Sequence, residues 1–180
     1  MRHGETEWSR DGRHTGRTDI PLTPAGEDAA RALRGRLSAV PFDLVLCSPL
    51  RRATATAALA GVPTPEIDDD AREWDYGDYE GITTARIHAT DPQWSLWTDG
   101  TPGGEQPHEA GTRADRLVAK VRATASTRAL IVAHGHILRV VAARWIGLAV
   151  ADAARLRLET ATVSVLGWER TTAVITRWNA

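Results

Sequence analysis

Three short stretches hold the residues whose types and spacing could do chemistry. The chain opens Met1-Arg2-His3-Gly4-Glu5-Thr6, carries Ser48-Pro49-Leu50-Arg51-Arg52-Ala53 in its first third, and returns to histidine at Ala133-His134-Gly135-His136. A neutral imidazole is a nucleophile or a proton carrier near neutral pH. A glycine directly after a histidine, as in His3-Gly4 and His134-Gly135, lets the backbone approach a bound anion closely. Arginines at the start of a helix add charge to a terminus that already attracts anions. Two imidazoles, several guanidinium groups and a helix start make a phosphate pocket that requires no metal, with fixed positive charge for the oxygens of a transferring phosphoryl group. A proton donor would complete it. Glu73, Asp75, Asp78 and Glu80 crowd one stretch, and residue type alone does not choose among them. Taken singly, His3 is a residue near a chain end, His134 a histidine closing a strand, and Arg51 and Arg52 solvated helix charges. Only the set carries weight.

Something must bring these stretches together. Phe42-Asp43-Leu44-Val45-Leu46-Cys47 and Ala129-Leu130-Ile131-Val132-Ala133 are short apolar runs of the kind buried on both faces of a parallel sheet. Each ends where a chemical stretch begins, and the carboxyl ends of parallel strands converge on one crevice. Helical patterns alternate with them. Thr23-Pro24 supplies a cap and a first helical proline ahead of Ala29, Ala30, Leu33 and Leu37. Ser48, again followed by proline, reads as the cap of a second helix that stops at Gly61. A third spans roughly Glu109 to Ala125, and a fourth Ile137 to Trp145, ending at Gly147. Residues 162–168 and 172–178 alternate about a polar turn and read as an antiparallel hairpin at the sheet edge. The expected fold is α/β, a three-layer α/β/α sandwich with a mainly parallel sheet and an antiparallel edge strand. Residues 1–180 form one domain, with the Gly-, Pro-, Asp- and Trp-rich 62–108 as a lid. One strand is lacking: only Met1 precedes Arg2-His3, where such a fold would place a strand to feed the loop. The expectation is a first strand missing from this chain through a start further upstream, with His3 loosely held if the start is real.

Composition narrows the class. The chain has 180 residues, 42% hydrophobic and 25% charged, with a formal net charge of −1. A chain of this length buries about 70% of its unfolded surface. The charge balance gives no reason to expect nucleic acid or a membrane surface as a partner. Cys47 is alone, which excludes an internal disulfide and a cysteine-rich metal site and fits the cytoplasm. The polar start shows no secretory signal, and no run reaches the ~18 apolar residues of a membrane span. The acidic Asp68-Asp69-Asp70 lacks the ligand spacing of a calcium loop and reads as a solvated turn. His14 and His136 are placed to rim the pocket, and Trp74 and Trp97 to line its mouth; His88 and His108 read as surface residues.

These motifs, in this order, resemble the histidine phosphatase superfamily, which includes the cofactor-dependent phosphoglycerate mutases. The resemblance covers essentially the whole chain and adds Thr15-Gly16-Arg17-Thr18-Asp19-Ile20-Pro21-Leu22-Thr23, Glu73-Trp74-Asp75-Tyr76-Gly77-Asp78-Tyr79-Glu80-Gly81 and Gly103-Gly104-Glu105. Trp94, Trp97 and Asp99-Gly100 look closest to the branch of mycobacterial-type acid phosphatases and fungal sedoheptulose-bisphosphatases. It implies His3 as nucleophile forming a phosphohistidine, Arg2, Arg52 and His134 on the phosphoryl oxygens, and Glu73 as proton donor and later base. It implies substrate contacts at Thr15, Gly16, Ser9 and Gly135. Ser9 and Gly12 stand where the family often has Asn, which puts one phosphate contact in question. The expected activity is metal-independent, cofactor-free phosphomonoester hydrolysis of a small phosphorylated metabolite, a sugar phosphate or a broad acid phosphatase range, with a homodimer compatible with the family. Two alternatives stand beside it. A phosphoglycerate mutase would need a basic insert after the acid, but residues 82–108 contain Arg86 as their one Lys or Arg. A non-catalytic phospholigand-binding member would not need the complete set of site residues. The low positive charge of 82–108 points to one-phosphate or sugar-like substrates.

Overall fold

The computed structural model describes residues 1–124 and 128–180. In chain order they form α1 (Glu7–Arg10), α2 (Pro24–Ala32), α3 (Arg34–Leu37), β1 (Leu44–Cys47), α4 (Arg51–Leu59) and β2 (Glu66–Ile67). There follow α5 (Thr84–His88), α6 (Leu96–Asp99), α7 (Pro107–Ala123), β3 (Ala129–Val132), α8 (Gly135–Trp145), β4 (Val165–Glu169) and β5 (Thr172–Arg177). The strands β2, β1 and β3 lie side by side in that order and run parallel, with Leu46 opposite Glu66 and Cys47 opposite Val132. Successive side chains of a strand face opposite ways, and β1 shows it. Val45 and Cys47 join Leu33, Leu37, Ala53 and Ala57 in one core, whereas Leu46 joins Leu117, Ile137 and Val140 in the other. The end of α2 with α3, and α4, therefore cover one face and α7 and α8 the other, which is the three-layer sandwich.

Local signals placed several boundaries. Thr23 caps α2 by accepting from the Gly26 N–H at 3.0 Å, with Pro24 in the first turn. Gly61 and Gly147 end their helices at φ +68° and +80°, the left-handed region where a Cβ is penalised. The third helix begins at Pro107, earlier than expected, and its expected last residue, Ala125, lies outside the described residues. Ser48 is a correction. Helix α4 starts at Arg51 after Leu50 with no side-chain cap: the Ser48 hydroxyl accepts from Leu50 N–H at 3.3 Å, short of the helix itself, and from His134 at 2.7 Å.

The anchoring of His3 is a second correction. Residues 1–3 run parallel to the end of β3, on the side away from β1. The Met1 nitrogen donates to the Ile131 carbonyl at 2.8 Å, Ala133 N–H to the Met1 carbonyl at 3.1 Å, and His3 N–H to the Ala133 carbonyl at 3.0 Å. Their outer edge is also paired, since Arg2 N–H donates to Thr162 O and Ala161 N–H to His3 O. His3 is therefore held between two backbone segments. Beyond them, β4 and β5 make a separate antiparallel pair with an irregular register at Val165 and Leu166.

Residues 62–108 are packed onto the body. Trp74, Tyr76, Ile87, Trp94 and Leu96 are buried in the α7–α8 core. Arg113 of α7 grips both Glu105 oxygens at 2.6 and 2.7 Å, Arg116 grips both Asp70 oxygens, and Lys120 pairs with Asp68. The Asp68–Asp70 turn is thus ion-paired to α7, a contact that no local pattern announces. Among the described residues, no helix is long and apolar enough to cross a membrane.

Candidate active site

The ends of β1 and β3 deliver Ser48 and His134 to one place, as their position after apolar runs requires, and the pairing of residues 1–3 along β3 brings His3 beside them. The rings of His3 and His134 lie 5.0 Å apart between centroids. The Nδ1 atom of His3 is 2.6 Å from the Gly4 carbonyl oxygen. A carbonyl only accepts, so Nδ1 carries the proton and Nε2 keeps its lone pair. Burial, and then the charges of Arg2 and Arg52, push the His3 pKa well below the usual imidazole value. The ring is neutral, and Nε2 is the nitrogen that carries the lone pair. Two features hold the His3-Gly4 unit in place. Gly4 N–H donates to the buried Thr56 hydroxyl at 2.9 Å. A Cβ on Gly4 would stand 2.5 Å from the Gly26 carbonyl oxygen, so the loop can lie against α2 only as glycine.

His134 has the opposite tautomer. Arg52 Nε donates to its Nδ1 at 3.1 Å, so Nε2 bears the proton and donates to Ser48 Oγ at 2.7 Å. Arg52 is fully buried and also donates to the carbonyls of Thr18, Thr15 and Gly16. These bonds use four of the five guanidinium N–H groups.

A cavity of about 210 Å³ opens beside His3, and Arg2, Ser9, Thr15, Glu73 and Gly135 share its wall. Arg52 and His134 form the layer behind His3. Arg2 reaches its place by passing Gly135, where an added Cβ would meet the guanidinium carbon at 3.3 Å. Its Nη1 donates to Leu158 O, while Nε is buried with no protein partner. An unpaired buried donor is costly, and here it belongs to a cation on the wall of a cavity. Glu73 arrives from the 62–108 segment and docks against the start of α8. Its Oε1 accepts from Trp74 and Ile137 N–H, both at 2.9 Å, and its Oε2 from His136 N–H at 3.0 Å. Asp75, Asp78 and Glu80, the other carboxylates of that stretch, lie off the wall. Glu80 instead binds the N–H groups of Gly16 and Thr18.

The substrate-side residues divide. Thr15 and Ser9 line the cavity, but the Ser9 hydroxyl is spent capping α1, accepting from Thr6 N–H and donating to Thr6 O. Gly16 has its N–H on Glu80 and its carbonyl on Arg52, which puts it in the frame rather than on the wall. Trp74 is fully buried with its indole N–H on Glu105 O, and neither it nor Trp97 lines the cavity. His14 and His136 do line it. Sequence reasoning missed Arg13, Tyr76, Thr84, Arg139 and Leu158 on the same wall. Tyr76 follows Glu73 by three residues and Arg139 follows His136 by three, one helical turn, so the second was within reach of a periodicity argument. Arg139 donates to the carbonyls of Ala153 and Ala154 and is pushed down to about 10 by burial, still a cation at neutral pH. Beyond Arg2, positive charge on the wall thus comes from α8 and the loop after α1, which an inventory of residues 82–108 could not show.

Among the described residues, no group of three or more His, Cys, Asp or Glu is placed to hold a metal ion. Neutral His3, a cation with an unpaired donor and a docked carboxylate suit transfer of a phosphoryl group. Over residues 1–180 the sequence matches the histidine phosphatase superfamily, branch 1. The chain belongs to this superfamily. Among its histidine phosphatase relatives is an acid phosphatase of Mycobacterium tuberculosis, 42% identical over 172 residues that span 94% of this chain and 85% of the relative. A sedoheptulose 1,7-bisphosphatase of Saccharomyces cerevisiae is 36% identical, over 83% of this chain and 67% of the relative. In three dimensions the solved structure of a Mycobacterium tuberculosis open reading frame product matches with a TM-score of 0.95 at 40% identity, covering 99% of this chain and 94% of that one. A mycobacterial glucosyl-3-phosphoglycerate phosphatase solved with VO3 matches at 0.88 and 29% identity, over 99% and 96%. This histidine phosphatase superfamily member is a phosphatase, of the branch its motifs resemble.

Proposed function

We propose that the chain is a cytoplasmic, metal-independent phosphomonoesterase that hydrolyses small phosphorylated metabolites, sugar phosphates or a broad acid phosphatase range, through a phosphohistidine on His3. The observation that carries this reading is the tautomer of His3. With Nδ1–H tied to Gly4 O, the lone pair on Nε2 belongs to a residue of the cavity wall. Attack of Nε2 forms the N–P bond as the bond from phosphorus to the leaving alcohol oxygen breaks. Glu73 supplies the proton that oxygen needs, then takes one from water as the water oxygen attacks phosphorus and the N–P bond breaks, releasing phosphate. Arg2, with Arg52 behind His3, supplies the positive surroundings for the phosphoryl oxygens, while neutral His134 is held between Arg52 and Ser48. The leaving portion would sit among Thr15, Thr84, His136 and Arg139, groups suited to hydroxyls or a further anion. Against a mutase, Arg86 is exposed and off the cavity wall.

The test is turnover of p-nitrophenyl phosphate with excess EDTA, together with rapid-quench trapping of labelled enzyme. Expected are EDTA-resistant activity and an acid-labile phosphoenzyme, both absent in His3→Ala. Activity that EDTA abolishes would overturn the metal-independent mechanism. Equal labelling of His3→Ala would remove His3 as nucleophile.

A further inference from the structure

We infer that Trp97 is a positioning residue for Glu73, acting through the two groups that hold the carboxylate. The inference rests on the reading of Glu73 as proton donor.

Glu73 takes its hydrogen bonds from three backbone amides, with the His136 imidazole Nδ1 4.0 Å from Oε2. One Oε1 donor is Trp74 N–H, in the segment that brings Glu73 in, and the Oε2 donor is His136 N–H, in the helix that receives it. Trp97 touches the rings of both residues. Its indole meets Trp74 edge to face with centroids 6.1 Å apart, and His136 likewise at 5.1 Å. Its face carries the Arg139 guanidinium at 4.2 Å, itself fixed by two carbonyls of the turn at 150–155. One rigid ring from α6 therefore sits between the chain that delivers the acid and the helix that docks it. Aromatic pairs and cation–π contacts have preferred geometries, so the ring sets a spacing as well as filling space. A smaller side chain there lets Trp74 and His136 move relative to each other, and the carboxylate moves with its donors. Proton transfer is sensitive to displacements of this size.

The effect is selective by chemistry. As His3 Nε2 bonds to phosphorus and the P–O bond breaks, an alkyl leaving group must take the Glu73 proton to depart as an alcohol. A p-nitrophenolate departs without it. We therefore compare kcat/KM, which reports the phosphorylation step, for glycerol 2-phosphate and p-nitrophenyl phosphate in the parent, Trp97→Leu, Trp97→Phe and Glu73→Gln. Trp97→Leu should lose about tenfold on the glycerol ester and less than about twofold on the aryl ester, a fraction of the full general-acid effect. Trp97→Phe, which keeps a flat ring, should restore most of the loss. Glu73→Gln should show the same selectivity, larger. Should Trp97→Leu lack a cooperative unfolding transition, Trp97→Met, whose unbranched side chain adapts to an irregular gap, takes its place with the same expected pattern. Equal losses on both esters, or none, in the Trp97 variants while Glu73→Gln remains selective would overturn the role of Trp97 alone. A non-selective Glu73→Gln would overturn Glu73 as proton donor, and the inference with it.

Discussion

Replacing Thr56 by valine tests whether His3, the proposed nucleophile, is held from beneath by a single hydroxyl. Thr56 is fully buried in α4; its Oγ1 accepts from Gly4 N–H at 2.9 Å and donates to Arg52 O at 2.6 Å. Valine keeps the shape and deletes the oxygen. Arg52 O retains its helical ladder partner, so the group left unsatisfied is the buried N–H of Gly4. That costs about 1–3 kcal/mol, and at 2–4 °C per kcal/mol for a chain of this size the melting temperature should fall by about 2–12 °C. The same residue offers the carbonyl that fixes the His3 tautomer, so kcat should fall as well, by about tenfold. Thr56→Ser keeps the oxygen and should lose little of either. Thr54→Val is the control, since the Thr54 hydroxyl serves only the helix carbonyl of Arg51; it should stay within about 0.5 kcal/mol. Urea denaturation and steady-state kinetics on the four proteins decide the matter. If Thr56→Val is as stable and as active as Thr54→Val, the hydroxyl does not anchor the loop.

Two further outcomes follow from the same geometry. Gly4→Ala puts a Cβ 2.5 Å from the Gly26 carbonyl oxygen, a backbone atom that no rotamer change can clear, so kcat/KM should drop by about a hundredfold or more; a loss under threefold would show that the loop and α2 separate freely. Stability should fall on acidification from about pH 6.5, because burial holds His14 down to about 4 and pushes His3, His134 and His136 well below the usual value. The unfolded chain then binds more protons than the folded one between those limits, and the stability present at neutral pH is lost as pH falls through the folded pKa values. His14 alone accounts for on the order of 3 kcal/mol by about pH 4. Unfolding free energies that stay flat from pH 7 to 5 would contradict this, and His14→Phe should flatten the profile in part.

What the sequence disclosed depended on how far apart the interacting residues lie. The Thr23-Pro24 cap and the glycine stops at Gly61 and Gly147 are local devices, and each appears where its neighbours dictate. The convergence of Ser48 and His134 was legible because both follow from where parallel strands end. Ser48 misled because a serine before proline looks like a cap, while the partner that claims it is 86 residues away. His3 looked unsupported because a strand was sought in the preceding residues; the support comes from Ala133, Ala161 and Thr162. Glu73 could be singled out from its acidic neighbours by family resemblance alone. Its distinction is physical, three backbone amides that converge on one carboxylate, and two of them lie more than sixty residues away.

That docking has a consequence for how such a site can be remodelled. The acid takes its coordinates from the first turn of α8 more than from the segment it belongs to. That turn directly follows Ala133, whose carbonyl holds the His3 N–H. His3 and Glu73 are therefore referenced to one continuous piece of chain, β3 running into α8. A connecting segment of another composition, bringing a carboxylate to the same socket and an aromatic ring to the place of Trp97, would inherit the same spacing to His3. The rest of residues 62–108 can then be exchanged as a cassette that changes what enters the cavity, while the spacing stays with the socket and the ring beside it.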